Sequence, residues 1–196
     1  LIDLGFTVEP CDIEPENFAV PGHSAKRADL SQRFPFPDAC FDYAVFVEGP
    51  EHVANVLNAF AESARVLKPG GRLFVTLPHY TSIERRLRFL LTGAHEAVYS
   101  LEDAHKRFGP STALMHISPM TLAHVWQLLQ LVGLELKDVH RDKFKRKQVL
   151  LLPLALLIRA LSKLSGSAKY LPEPGNSLDV LMGGNTLVLV AQKRGA

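Results

Sequence analysis

The sequence predicts an α/β fold in which helices cover both faces of a parallel sheet. Segments with a strand pattern alternate with segments that have the apolar periodicity of a helix. Residues 43–47 are apolar without alternation, which is typical of a parallel strand buried on both faces. In such sheets ligands bind outside the carboxyl ends of the strands, so the residues at those ends are the candidate site residues.

The first half of the chain supplies three predicted strands and one helix. Residues 6–11 predict a short strand, and the turn-forming residues 14–26 predict a loop. After the strand at 43–47, apolar residues at three- and four-residue steps predict a helix over about 52–68. The Pro-Gly-Gly sequence at 69–71 ends this helix, and residues 73–77 form the next buried strand.

The second half contains two long connections between its elements. The predicted elements are a connection at 79–118 with a basic helical piece at 82–91, a helix at 119–131, a strand at 134–139, a helix at 148–164, a connector at 165–184 and a strand at 185–191. We treat residues 1–196 as a single, partial domain with inserts at about 79–118 and 142–184.

The composition excludes several classes of protein. Apolar residues make up 47% and charged residues 21%, which suffices for a globular core. The net charge of +2 is not that of a nucleic-acid-binding protein. Two cysteines outside any CxxC pair, and histidines without metal-ligand spacing, predict neither a disulfide framework nor a metal site. We expect a cytoplasmic protein, because so few cysteines are typical of a reducing compartment. The longest uncharged apolar run is too short to span a bilayer.

Four motifs, taken in order, carry a resemblance to a known family. They are ADL at 28–30, PFPDACFDYAV at 35–45, EGPEH at 48–52 and RVLKPGGRL at 65–73. Their order and spacing resemble the class I S-adenosylmethionine-dependent methyltransferases, and among them the methyltransferase type 11 subgroup. The resemblance implies a doubly wound, Rossmann-like sheet that is mostly parallel and has an antiparallel last strand, here GNTLVLVAQK.

A glycine-rich loop follows the first strand in that family, close to the methionine part of the cofactor. Asp12 follows Gly5 by only seven residues, which leaves no room for a helix between a first and a second strand. LIDLGFTVEPCD therefore resembles the end of the first helix and the second strand. We expect a chain truncated before or through the glycine-rich motif, without its first strand.

The resemblance implies S-adenosylmethionine as cofactor and assigns five residues to its site. Asp12 would accept both ribose hydroxyls, because a carboxylate can take two neighbouring donors. Asp29 and the backbone of Leu30 would recognise adenine, Ile13 would pack on its ring, and Val47 would lie beside the methionine portion. The alternatives are aspartates that open or cap turns and apolar residues of the core.

Three residues are candidates for catalysis. Glu48 could act as a base or anchor the acceptor, and His52 could act as a base or shape the start of the helix. His79 directly follows a strand and is the better candidate base. Methyl transfer does not always require a catalytic residue, because the sulfonium already activates the methyl group and positioning supplies much of the rate.

The expected acceptor is a small molecule, either lipid-linked or a glycan precursor of the cell envelope. No nucleic-acid partner is expected. Basic residues at 143–147 precede the apolar helix, which fits peripheral contact with the inner face of a membrane. The alternative is a helix that packs on the core or covers the acceptor pocket. The oligomeric state is not predicted.

Two rival hypotheses remain open. The chain could be a non-catalytic remnant or binding module of this fold. It could also be an NAD-dependent oxidoreductase, because that fold shares an acid at a strand end that binds ribose. The RVLKPGG turn and the antiparallel last strand weigh against the oxidoreductase.

Overall fold

A computed structural model describes residues 1–109, 115–165 and 174–195, and parts of the predicted connections at 79–118 and 165–184 lie outside these residues. The strands are β1 (Cys11–Asp12), β2 (Lys26–Arg27), β3 (Phe41–Val47), β4 (Leu67–Pro78), β5 (Leu134–Arg141) and β6 (Thr186–Lys193). The helices are α1 (Val56–Val66), α2 (Ile83–Thr92), α3 (Leu101–Phe108), α4 (Leu122–Leu131), α5 (Leu152–Leu164) and α6 (Leu178–Leu181). Short 3-10 helices cover Ile2–Leu4, Pro15–Asn17, Pro50–His52 and Arg146–Leu151.

The main sheet has four strands in the order β3-β4-β6-β5. β3 and β4 are parallel, and β6 runs antiparallel to both β4 and β5. Three strands therefore share one direction and the last strand opposes them, which confirms the predicted α/β fold and its antiparallel last strand. β1 and β2 form a separate parallel pair.

The predicted boundary between the first helix and the next strand is wrong by several residues. Asn55 caps α1 by accepting a hydrogen bond from the Asn58 amide at 3.2 Å, and the helix ends at Val66. In β3, Phe41 pairs with Leu67 but Tyr43 pairs with Arg72, so the Pro-Gly-Gly sequence lies in a bulge inside β4. Gly70 has φ +79°, a conformation that glycine adopts without a steric penalty.

The expectation that β3 is buried on both faces is also wrong. Tyr43, Val45 and Val47 are 51%, 48% and 76% exposed. These three residues alternate along the strand and so share one face. β3 is an edge strand of the four-stranded sheet, and on its exposed face the ring of Phe6 lies edge-on to that of Tyr43, with ring centroids 6.0 Å apart.

The main core lies between the sheet and helices α1 and α4. Phe60 of α1 and Leu129 of α4 pack with Leu73, Val75 and Leu189 of the central strands, and all five side chains are buried. A second cluster joins α2, α5 and α6, and its buried members are Ile83, Ala155, Leu181 and Met182. This second cluster attaches the connection after β4 to the segment that precedes β6.

Arg65, in the last turn of α1, ties the loop before β3 to that helix. Its guanidinium donates to the Glu62 carboxylate at 2.6 Å, to Asp38 at 2.6 Å and to the Phe36 carbonyl at 2.9 Å. Glu62 also accepts from the Phe34 amide at 2.7 Å. A planar group with several donors can satisfy this set, whereas a lysine ammonium cannot match its geometry.

Replacing Arg65 should therefore destabilise the fold. We expect Arg65→Ala to lower the free energy of unfolding by about 2–4 kcal/mol, because charged hydrogen bonds of a largely buried side chain are lost. Arg65→Lys should recover only part of this loss. Urea denaturation would measure the free energy of unfolding of both variants. Arg72 is exposed, so the control Arg72→Ala should stay within about 0.5 kcal/mol of the wild type. Equal effects of Arg65→Ala and Arg72→Ala would contradict this role.

Candidate active site

The carboxyl ends of two parallel strand pairs define the candidate site. Asp12 is the last residue of β1, and Asp29 follows the end of β2. Val47 ends β3, which is parallel to β4, and Pro78 ends β4. The loops after β2 and β3 lie against each other, since a Cβ added to Gly49 would meet Leu30 at 3.3 Å.

The two aspartates each hold a local turn with one carboxylate oxygen. Asp12 accepts from the Glu14 amide at 2.9 Å, and Asp29 accepts from the Ser31 amide at 2.8 Å. These are the turn-forming roles that the sequence offered as alternatives. Because each bond uses one oxygen, the second oxygen of each carboxylate can accept from a ligand. The residues thus fit the ribose and adenine ends of the expected cofactor, and their role there stays a prediction.

Apolar surface for a ligand is available beside these carboxylates. Ile13 is 46% exposed, and Val47 is 76% exposed. Leu30 is fixed through its carbonyl, which accepts from the Asn58 side chain at 2.8 Å, and Asn58 also bonds to the carbonyl of Gln32 at 2.8 Å. The start of α1 therefore holds the loop after β2 next to the end of β3.

Glu48 has a left-handed backbone with φ +50°. This conformation costs a residue other than glycine about 1–2 kcal/mol and is frequent at functional sites. The Glu48 amide donates to the Thr76 carbonyl at 3.1 Å, and its carboxylate accepts from the Thr186 hydroxyl at 2.9 Å. Glu48 thus links the ends of β3, β4 and β6 and presents an exposed carboxylate to the site.

His79 is buried, with 1% of its surface exposed. Its Nε2 donates to the Val180 carbonyl at 2.7 Å, and its amide donates to the Asn185 carbonyl at 2.7 Å. Burial lowers the pKa of the imidazole to about 4, so the ring is uncharged at neutral pH. These contacts tie the end of β4 to α6, and the catalytic role of His79 stays a prediction.

His52 lies in a polar cluster that the sequence did not predict. Its Nδ1 donates to the Met115 carbonyl at 3.1 Å, and its ring lies 4.9 Å from that of His116. Tyr80 donates to Glu96 at 2.9 Å, and Glu96 accepts from Nδ1 of His116 at 3.2 Å. Burial lowers the pKa of His52, which favours its neutral form.

Glu51 completes this cluster and is fully buried. Neither of its carboxylate oxygens has a hydrogen-bond partner among the described residues. Burial raises the pKa of this carboxyl to about 7. The adjacent Glu-His pair was the only local signal of the cluster, because its other members come from the connection after β4.

The arginines after β4 are engaged in internal bonds. Arg85 donates to the His95 carbonyl at 2.6 Å. Arg86 donates to the Thr81 carbonyl and to the Asn176 side chain, each at 2.8 Å. These bonds hold the fold of the connection.

The buried His79 should make stability sensitive to acid. In the unfolded chain this imidazole gains a proton as the pH falls through about 6.5, whereas the folded state resists protonation until about 4. Its stabilising contribution is therefore complete above pH 6.5 and is lost as the pH falls towards 4. Between pH 7 and pH 5 the free energy of unfolding, measured by urea denaturation, should fall by about 1–2 kcal/mol more in the wild type than in His79→Gln.

The exposed His140 offers a matched control for this measurement. His140→Gln should keep the acid sensitivity of the wild type, because it leaves the buried His79 in place. If His79→Gln lost as much stability as the wild type between those pH values, the assignment of this sensitivity to His79 would be wrong.

Comparison with known proteins finds similarity in the first part of the chain. Residues 3–75 match the family described as "Methyltransferase domain". The demethylmenaquinone methyltransferase of Tropheryma whipplei (strain Twist) is 36% identical over 77 residues, which are 36% of this chain and 32% of that protein. The ubiquinone/menaquinone biosynthesis C-methyltransferase UbiE of Nitrobacter hamburgensis is 34% identical over 79 residues, 35% of this chain and 31% of that protein. The matches thus span about a third of the length of these relatives.

A solved structure extends the likeness to the whole fold. A SAM-dependent methyltransferase from Archaeoglobus fulgidus superposes with a TM-score of 0.57 at 13% identity, covering 98% of this chain and 78% of that one. At this identity the likeness establishes the fold alone. Residues 3–75 thus resemble the methyltransferase domain family, and the chain has the class I methyltransferase fold.

Proposed function

We propose that this protein takes part in S-adenosylmethionine-dependent methyl transfer to a small-molecule acceptor. The observation that carries this proposal is the placement of Asp12 and Asp29 at the ends of paired parallel strands within the segment that matches the methyltransferase domain. Each carboxylate keeps an oxygen for a ligand, as a nucleoside site requires.

The residues of the chain would hold the cofactor at its nucleoside end. Asp12 binds the ribose hydroxyls, Asp29 and the backbone of Leu30 bind adenine, and Ile13 covers the ring. Val47 lies beside the methionine portion. When bound, S-adenosylmethionine supplies a methyl group activated by its sulfonium, so the protein contributes alignment of the acceptor with that group.

Glu48 and His52 are the residues placed to orient or deprotonate an acceptor. Glu48 has an exposed carboxylate at the end of β3, and His52 follows it by one turn of 3-10 helix. His79 can serve as a base only if its imidazole becomes accessible, because it is buried and bonded to Val180. We therefore place Glu48 and His52 ahead of His79 for this role.

Cofactor binding can be tested with S-adenosylhomocysteine in isothermal titration. Asp12→Asn and Asp29→Asn keep an oxygen for the local turn but replace the acceptor that faces the ligand with a donor. Each should weaken binding by about 10- to 100-fold, which corresponds to the loss of a charged hydrogen bond.

The exposed Glu16 provides a matched control, and Glu16→Gln should bind as the wild type does. Wild-type affinity in both aspartate variants would contradict the proposed site. A protein that binds S-adenosylhomocysteine but transfers no methyl group would be a binding module of this fold. Binding of NAD in place of S-adenosylhomocysteine would favour the oxidoreductase.

We further propose that the acceptor is lipid-linked and that the protein meets it at an anionic membrane surface. Two relatives are named for demethylmenaquinone and for ubiquinone/menaquinone biosynthesis. In this chain an exposed apolar stripe follows one face of the 3-10 helix before α5 and of α5 itself. The stripe consists of Leu150, Leu157, Leu161 and Leu164, which are 88%, 53%, 53% and 83% exposed.

Basic side chains border this stripe. Lys143, Arg146 and Lys147 are exposed and directly precede it. The opposite face of α5 packs on α2 and α6 through Ala155. A helix with one face on the protein, one apolar face outside and cations beside it suits the surface of an anionic bilayer. No helix in the described parts of the chain has the length and apolar character needed to cross one.

Vesicle flotation would test this membrane contact. The protein should float with vesicles that contain phosphatidylglycerol and stay behind with pure phosphatidylcholine. Leu150→Asp should reduce the bound fraction about tenfold, because it removes one inserted apolar side chain and adds a repelled charge. The matched control is Leu131→Asp on α4, where the leucine is 74% exposed. Equal flotation of the two variants would contradict the assignment of the stripe to the membrane.

A further inference from the structure

We propose that Glu51, His52 and His116 form a binding site for a divalent transition metal, with Zn²⁺ as the best match. One ligand atom from each of the three residues lies within 4.8 Å of the other two. A carboxylate and two imidazoles are a common set of three protein ligands for zinc, which leaves a further position for an oxygen ligand. This inference goes beyond methyl transfer and does not depend on cofactor binding. With a metal bound, His52 is a ligand, and Glu48 is left to orient or deprotonate the acceptor.

The histidine rings are oriented as metal ligands usually are. Nδ1 of His52 donates to the Met115 carbonyl at 3.1 Å. Nδ1 of His116 lies 3.2 Å from both carboxylate oxygens of Glu96. Metal-bound histidines in general donate their second ring nitrogen to a carbonyl or a carboxylate, which fixes the ring and makes the other nitrogen a better ligand. Nε2 of each ring is thus left to bind a metal.

The buried carboxylate of Glu51 is the independent observation that points to a missing ligand. Its side chain is 0% exposed, and Oε1 lies 4.0 Å from Nε2 of His52. Both oxygens lack a hydrogen-bond donor in the described part of the chain. Burying a carboxylate without a partner is costly, and a cation between it and the two imidazoles would remove that cost.

The spacing of these atoms suits a small cation after a modest contraction. Zinc ligands at about 2.1 Å from the metal lie about 3.4 Å from one another in a tetrahedral site. The three side chains would have to approach by about 1 Å, which rotations of the Glu51 and His52 side chains can supply. Two nitrogen ligands favour zinc or a neighbouring transition metal over Ca²⁺ and Mg²⁺, which prefer oxygen ligands.

The site would lie beside the ends of β3 and β4. Glu51 and His52 belong to the 3-10 helix that follows Glu48. Tyr80 lies two residues after Pro78, the last residue of β4, with the buried His79 between them. Tyr80 donates to Glu96 at 2.9 Å, so the same carboxylate supports both the tyrosine and His116. The open coordination position of the metal would take water or an oxygen or nitrogen atom of a small molecule.

Direct metal titration tests the proposal without any activity assay. The protein would be treated with a chelator, exchanged into metal-free buffer at about pH 7.5 and titrated with Zn²⁺ in competition with a chromophoric chelator. We expect one saturable site with micromolar or tighter affinity. Co²⁺ should bind at the same site and give the intense visible absorption of a four- or five-coordinate centre rather than the weak bands of the hexaaqua ion.

Single substitutions locate the site. Glu51→Gln, His52→Gln and His116→Gln should each weaken Zn²⁺ binding by more than about 100-fold, whereas Glu96→Gln should weaken it by about 10- to 100-fold, as the loss of a supporting partner does. The exposed His140→Gln should bind as the wild type does. Thermal midpoints measured in chelator show whether each variant is folded, and Zn²⁺ should raise the midpoint of the wild type but not that of Glu51→Gln.

Two results would overturn the proposal. One is the absence of saturable Zn²⁺ and Co²⁺ binding in a folded wild type, in which case Glu51 is a buried protonated acid. The other is wild-type affinity in the three ligand variants, which would place the metal elsewhere. Failure of S-adenosylhomocysteine to bind would leave these outcomes unchanged, so the two proposals fail separately.

Discussion

The pairing of β4 with β3 on one side and with β6 on the other is the constraint on which the site depends. Hydrogen bonds from the Glu48 amide to Thr76, and from the Thr186 hydroxyl to Glu48, form only because three strand ends meet in this register. A shift by one residue would turn the alternating side chains of β4 to the opposite face. The same strand delivers His79 to the interior and Tyr80 to the polar cluster, so the register also fixes the second half of the site.

Helix α1 holds the connection between β2 and β3 in place. At its start, Asn58 binds the carbonyls of Leu30 and Gln32, which holds the loop after β2 beside the end of β3. At its other end, Arg65 and Glu62 bind the loop before β3. One helix therefore fixes both ends of the connection between β2 and β3.

The polar cluster shows how the connection after β4 contributes to the site. Glu96 and His116 come from that connection, and their bonds to Tyr80 and to each other close over Glu51 and His52. A buried carboxylate without a donor is costly in an otherwise well-paired structure. Such a cost is typical of functional sites, where local stability is sacrificed for the binding of a ligand. The cluster thus joins the 3-10 helix after β3 to the connection after β4.

The sequence by itself determined the class of fold, the approximate positions of α2, α4, α5, β5 and β6, and the strand-end residues, because periodicity and turn chemistry are local. It misplaced the end of α1, since the Pro-Gly-Gly sequence is compatible with both a helix stop and a bulge in β4. It also predicted β3 as buried, although burial depends on which layers lie beside a strand. Only the tertiary structure decided that Glu51, His52 and His116 meet, because 64 residues separate the two histidines and no local spacing encodes their contact.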